Sequence, residues 1–151
     1  MRHIAFLLLL LPGAAGAAEI ACPAAITTPL AAAAMPGWMV DPHPSSTGFP
    51  YRGPDAAGRK PFEGVTIVDG GPGDLRAEAP GSLVPDESAV RGGRLRQRWD
   101  VSAGSPRGFL MVCRYHGTAT VLARVLPPTA RECIQMLPPR DTSRALSALC
   151  R

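Results

Sequence analysis

Gly108-Phe-Leu-Met-Val-Cys-Arg-Tyr-His-Gly-Thr-Ala-Thr-Val-Leu-Ala-Arg-Val125 is the stretch that decides the fold. Residues 108–115 form an apolar run of strand length, with Phe109, Leu110, Met111, Val112 and Cys113 in succession. His116-Gly117 reads as a two-residue turn, and 118–125 return as a second strand. Both faces of this hairpin are largely apolar, so it belongs in the middle of a sheet, with Val112 and Val121 in the core.

Working outward, residues 94–101 read as another strand. Leu95, Trp99 and Val101 point one way and Arg94, Arg96 and Arg98 the other, and Gln97 interrupts the apolar face. The three arginines suit a solvated edge that resists strand pairing, a cover for an acidic neighbour, or an anion-binding face. Residues 62–69 are a third strand, rich in β-branched residues. Gly70-Gly-Pro-Gly73 then reads as a turn, with 75–79 as the returning strand of a hairpin. Residues 83–86 make a corner and 132–137 a late strand. Asp141 or Thr142 can cap a short helix over 143–149. Residues 21–28, pinned by Cys22, read as an edge strand or extended arm, because Pro23 cannot donate to a ladder.

Residues 41–61 hold Pro42, Pro44, Pro50, Pro54 and Pro61 with three glycines, a density that no regular element survives. This is a long surface loop, with Phe49 and Tyr51 as exposed contact candidates. Leu30–Met35, bracketed by Pro29 and Pro36, fits one helical turn. Trp38 in Gly37-Trp-Met-Val40 reads as core or rim packing ahead of a ligand platform.

The first eighteen residues set the compartment. Arg2 and His3 precede the apolar run 4–11, and small residues follow up to Ala18. That order is a secretory signal peptide cleaved after Ala18 or Ala17, and the run is too short for a transmembrane helix. Glu19, three residues before Cys22, breaks the lipoprotein pattern. The expected organisation is a signal segment 1–18 and one β-rich domain over 19–151, periplasmic or secreted.

Four cysteines, Cys22, Cys113, Cys133 and Cys150, in an exported chain imply two disulfides. Three pairings exist and the sequence does not choose among them. Cys133–Cys150 with Cys22–Cys113 is favoured, since it closes a short C-terminal loop and ties the N-terminal arm to a central strand.

Charge is uneven. Residues 41–90 carry eight acids and four bases, a net of −4, and residues 91–151 carry eleven bases and three acids, a net of +8. The halves can neutralise each other by packing, or present a basic face to an envelope protein or anionic envelope polymer. Without residues 1–18 the balance is only 15 bases to 12 acids, a net of +3, which does not argue for nucleic acid. The abundance of arginine, alanine, glycine and proline carries no mechanism.

Catalytic patterns are missing. There is no G-x-S-x-G, H-E-x-x-H or G-x-G-x-x-G. His43 sits in the proline-rich loop and His116 in a turn, neither beside a group that would make it a general base. The run Asp69-Gly-Gly-Pro-Gly-Asp74 lacks the phosphate-loop ending and the calcium-loop oxygen spacing. No metal site and no cofactor is expected, and the chain is not read as an enzyme.

The ordered series Cys22-Pro-Ala, Gly37-Trp38, Val65-Thr-Ile-Val-Asp-Gly-Gly-Pro72, Leu83-x-Pro85-Asp86, Trp99, Val112-Cys-Arg-Tyr115-x-Gly117-Thr118, Leu126-Pro127 and Cys133 resembles an uncharacterised family of small exported proteobacterial proteins named after a Salmonella Typhi locus tag. That resemblance implies a periplasmic location and no activity. The hairpin Cys113-Arg-Tyr-His-Gly-Thr118 with its return strand is also similar to periplasmic inhibitors of c-type lysozyme, in which a loop enters the enzyme's cleft.

The expected fold is mainly β, an antiparallel sheet or small sandwich or barrel of five to seven strands, with a short C-terminal helix and disulfide support. The leading function is a non-catalytic periplasmic binding or envelope-maintenance protein. Its alternatives are an inhibitor or immunity protein against a cell-wall hydrolase, and a small hydrolase with an unrecognised site. Candidate binding residues are Arg94, Arg96, Arg98, Phe49, Tyr51 and His116.

Overall fold

The structure, a computed structural model, describes residues 19–27, 35–41, 53, 57–77, 81–140 and 145–151. The expected signal segment, most of the Leu30–Met35 turn, Phe49 and Tyr51 of the proline-rich loop, and the cap candidates Asp141 and Thr142 lie outside these residues.

Two five-stranded antiparallel sheets form a half-barrel. The first runs β1 (Ile20–Ala21), β10 (Ser147–Cys150), β9 (Glu132–Leu137), β6 (Arg94–Asp100), β5 (Glu87–Arg91). The second runs β2 (Ala25–Ile26), β4 (Lys60–Asp69), β7 (Phe109–Tyr115), β8 (Val121–Val125), β3 (Met39–Asp41). The antiparallel β class is as the sequence indicates. The count is higher than five to seven because β1, β2 and β3 are only two or three residues long, too short for a periodic signal.

The hairpin at 108–125 is central, with β7 in the middle of its sheet and Val112 and Val121 both buried. Its turn is longer than two residues. Strand pairing resumes only at Val121, which lies opposite Arg114, and Thr120 N–H donates to the Thr118 hydroxyl inside the loop. A two-residue turn would set Val112 against Val121, whereas the structure sets Val112 against Ala123. A shift of two residues keeps every side chain on its own face, so the expected core survives the altered register.

The main core lies between the sheets, with Ile67, Met111 and Leu122 of the second against Trp99, Cys133 and Ala148 of the first. A second cluster, Val68, Leu110, Val112, Val121 and Ala123, lies on the other face of β4, β7 and β8 and includes Leu75. Leu75 is the buried residue of a short 3-10 helix, Pro72–Arg76. This helix replaces the expected 70–79 hairpin. Proline at its start fixes a helical φ, and the Asp74 carboxylate accepts a bond from Gly71 N–H at 2.7 Å. Gly81–Leu83 lies beside β4, where Asp69 N–H donates to Gly81 O and Leu83 N–H to Ile67 O.

The expected C-terminal helix is a strand. Ser147–Cys150 alternates exposed and buried residues, with Ala148 and Cys150 inward, and pairs along β9. Cys150 is bonded to Cys133 directly across that pair, Cα to Cα 4.0 Å. Glu132 and Arg151 next to it exchange both backbone bonds, so the cystine occupies the closely spaced, non-hydrogen-bonded position. Pairing and cross-link override the local helix propensity. The other disulfide joins Cys22 to Cys113 of β7, and no cysteine is free.

The arm that carries Cys22 borders both sheets, β1 on the edge of one and β2 on the edge of the other. The sheets also meet where β4 bulges between Phe62 and Gly64. There Ala145 N–H donates to Glu63 O and Val65 N–H to the Gln135 side chain. Among the described residues no helix is long and apolar enough to cross a membrane.

Candidate functional site

The outer face of the first sheet gathers the charged residues of its strands. Gly92 and Gly93, both at positive φ, make the two-residue turn that lets β5 fold back on β6, a backbone only glycine adopts freely at both positions. Alternation along β6 then puts Leu95, Gln97 and Trp99 inward and Arg94, Arg96, Arg98 and Asp100 outward. Register carries Glu87, Ala89 and Arg91 of β5 to the same face. It does the same for Glu132, Ile134 and Met136 of β9 and for Leu149 of β10.

The charges form a connected network. Arg96 lies 3.7 Å from Glu87 and 3.5 Å from Glu132, and Arg98 lies 3.4 Å from Glu87 and 3.5 Å from Asp100. Arg91 adds a contact to Glu87 at 3.3 Å, and Arg151 reaches Glu132 at 2.7 Å. The Arg91 guanidinium, with Arg98 and Arg96 behind it, holds the Glu87 carboxyl below the usual range. The Ser102 hydroxyl and N–H do the same for Asp100. Five guanidiniums (Arg91, Arg94, Arg96, Arg98, Arg151) face three carboxylates (Glu87, Asp100, Glu132), so the face keeps a net +2. Arg94 is exposed and forms no ion pair among the described residues.

Beside this network runs an aliphatic strip, Ile134, Met136 and Leu149, each half-buried with no second sheet over it. A shallow depression of about 450 Å³ opens at one end of the face, lined by Arg98, Asp100, Ser102, Arg131, Glu132 and Arg151. Half-exposed aliphatics rimmed by paired charges are the composition of a protein-docking surface.

The sequence places Arg94, Arg96 and Arg98 on one outward face, and the structure agrees. It corrects their setting, because β6 lies inside the sheet between β9 and β5 and is not a solvated edge. Arg96 and Arg98 cover acidic neighbours. The structure does not bring His116 to them. That residue is exposed in the β7–β8 loop of the other sheet, where its N–H donates to Pro61 O at 3.0 Å. Glu87, Glu132 and the aliphatic strip escape the sequence reading, although the alternation in Glu132-Cys-Ile-Gln-Met-Leu137 carries the signal for three of them.

Elsewhere the polar clusters have structural work. Asp69 accepts from the Ser105 hydroxyl at 2.5 Å and meets Arg107 at 3.4 Å, and Arg107 also reaches Asp74. Trp38 packs on the core edge under the Arg124 guanidinium, 5.9 Å from its ring centre. Among the described residues no group of three or more His, Cys, Asp and Glu side chains is placed to hold a metal.

A family model described as the type VI secretion system Tli immunity protein matches residues 57–151. The chain belongs to the Tli immunity protein family. The match begins just before β4 and takes in every strand of both sheets except β1, β2 and β3. A relative by sequence is an uncharacterised 16.3 kDa protein from the trpG 5′ region of Azospirillum brasilense, 35% identical over 88% of this chain and 83% of its own length. No solved structure matches the chain. Membership of a small family agrees with the ordered motifs in the sequence, and the Salmonella Typhi naming gains no support from these matches.

Proposed function

We propose that this chain is a type VI secretion immunity protein, a non-catalytic binder that neutralises a secreted effector in the cell envelope. The observation that carries the reading is the family match over residues 57–151. It favours the immunity alternative over general envelope maintenance and over a hydrolase of its own. Two disulfides fit an oxidising compartment, so the periplasm is the proposed site of action. The domain reading, a cleaved segment 1–18 ahead of one β-rich domain, belongs to the same proposal.

The effector-binding surface we assign is the outer face of the first sheet. Arg94, Arg96 and Arg98 with Arg91 select an acidic partner patch, and Ile134, Met136 and Leu149 supply apolar contact. Charge complementarity of this kind mainly sets association rate and specificity.

The test is to express the effector, directed to the periplasm, in cells with and without this protein. Growth should be restored by the wild-type chain. Changing Arg94, Arg96 and Arg98 together to Gln should abolish protection and co-purification while the circular dichroism and the two disulfides persist. Unchanged killing in the presence of well-expressed wild-type protein would overturn the immunity reading. Full protection by the triple variant would overturn only the choice of face.

A further inference from the structure

We infer that β5 is a self-pairing edge, through which two copies of this chain join their first sheets into one continuous sheet. The inference does not depend on the immunity reading, and needs no effector to test it.

Among the described residues β5 is the only sheet edge longer than three residues. The other edges, β1, β2 and β3, have two, two and three. Arg91 and Arg94 close the two-residue Gly92-Gly93 turn, so they form a hydrogen-bonded pair, and alternation makes 89/96 and 87/98 bonded pairs as well. The N–H and C=O groups of Ser88 and Val90 therefore face away from β6. Both residues are exposed, and Val90 keeps 67% of its surface in contact with solvent. No proline and no bulge interrupts Glu87–Arg91, two devices by which exposed edges are commonly blunted.

The side chains carry the choice of partner. An antiparallel strand must engage Ser88 and Val90. A second copy does so fully when Ser88 of each pairs with Val90 of the other, with Ala89 opposite Ala89 on the two-fold axis. That register sets Glu87 opposite Arg91 and Arg91 opposite Glu87, so both outward cross-strand pairs are of opposite charge. Sliding by two residues toward the N-terminus sets Glu87 against Ala89 and Arg91 against Pro85, and loses the charge match. Sliding the other way sets Ala89 against Arg91 and loses the charge match. The edge is thus complementary to itself in one register, which is the requirement for a closed two-fold interface.

Sedimentation of the purified, oxidised protein over a range of concentrations tests this. The weight-average mass of the wild type should climb toward twice that of one chain. Val90→Pro removes only a donor that points away from β6, so it should give a monomer at every concentration with the circular dichroism unchanged. Arg91→Glu, which sets two carboxylates opposite each other, should do the same. Ala89→Cys should give a covalent dimer on oxidation that reductant dissolves, because the central pair is of the closely spaced type. A wild type that stays monomeric, or a dimer that survives both Val90→Pro and Arg91→Glu, would overturn the proposal.

Discussion

Gln97 interrupts an apolar face, and its partner explains why it is tolerated. Its Oε1 accepts from Gln135 Nε2 at 2.9 Å, and Gln135 Oε1 accepts from Val65 N–H at 2.7 Å. The two side chains satisfy a backbone donor on the side of β4 that faces away from β7, and in doing so bridge the sheets. Gln135→Ala should cost about 1–3 kcal/mol in a denaturant melt, since it strands both Gln97 and Val65 N–H. Gln97→Ala should cost less, because the Val65 bond remains. Tyr115 is the opposite case. Its ring packs edge-on against Phe62, 6.2 Å between centres, but its buried hydroxyl has no hydrogen-bond partner among the described residues. Burial alone raises its ionisation well above the ordinary tyrosine value. Tyr115→Phe should leave stability unchanged or raise it by about 1 kcal/mol, measured by the same melt. At this scale the sequence is least legible. Lys60, the only lysine, falls in the proline-rich loop by composition, yet it is the buried first residue of β4 and donates to the carbonyls of Thr27 and Gly58. Nothing local announces such partners, because they lie up to 70 residues apart.

The strands β4, β6, β7, β8 and β9 can be read directly from the chain, because each is long enough to alternate or to run apolar. β5 escapes notice because Glu-Ser-Ala-Val-Arg is polar at both ends and has no buried face of its own. The 3-10 helix and β10 are missed for different reasons. A glycine-proline run permits several turns, and four residues of Ser-Ala-Leu-Cys are neutral between helix and strand until β9 provides a ladder. The central hairpin gives the sharpest test of where the core lies. Val121→Asp should destabilise by at least about 3 kcal/mol or abolish folding, because it buries an unpaired charge. Val125→Asp, on the same face but half exposed, should lower the melting temperature much less. Equal tolerance at both positions would place the core elsewhere.

Over the whole molecule, the candidate face is assembled from both halves of the chain. The sequence shows three of its arginines, whereas the acids that hold them arrive by strand pairing, and the binding candidates Phe49 and Tyr51 lie outside the described residues. Carboxylates held by hydrogen bonds and ion pairs set the response to acid. Asp69, Glu87 and Asp100 all ionise below their ordinary values, held there chiefly by Ser105, Arg91 and Ser102 respectively. A carboxyl lowered on folding adds stability above its unfolded pKa, near 4, and loses it as pH falls through the folded value. The melting temperature should therefore be flat from about pH 7 to 5 and fall progressively below about pH 4. Asp69→Asn should flatten that fall, and a pH series of thermal melts measures both. One feature governs timing as well as stability. Among the described residues Ile20 and Ala21 find their strand partner in Leu149 and Cys150, and the loop between them closes last in any route that builds the hairpins first. An emerging chain can form β7–β8 early, but the edge of its first sheet waits for β10. The arm that carries β1 is thus a clasp that fastens only once β10 has been made.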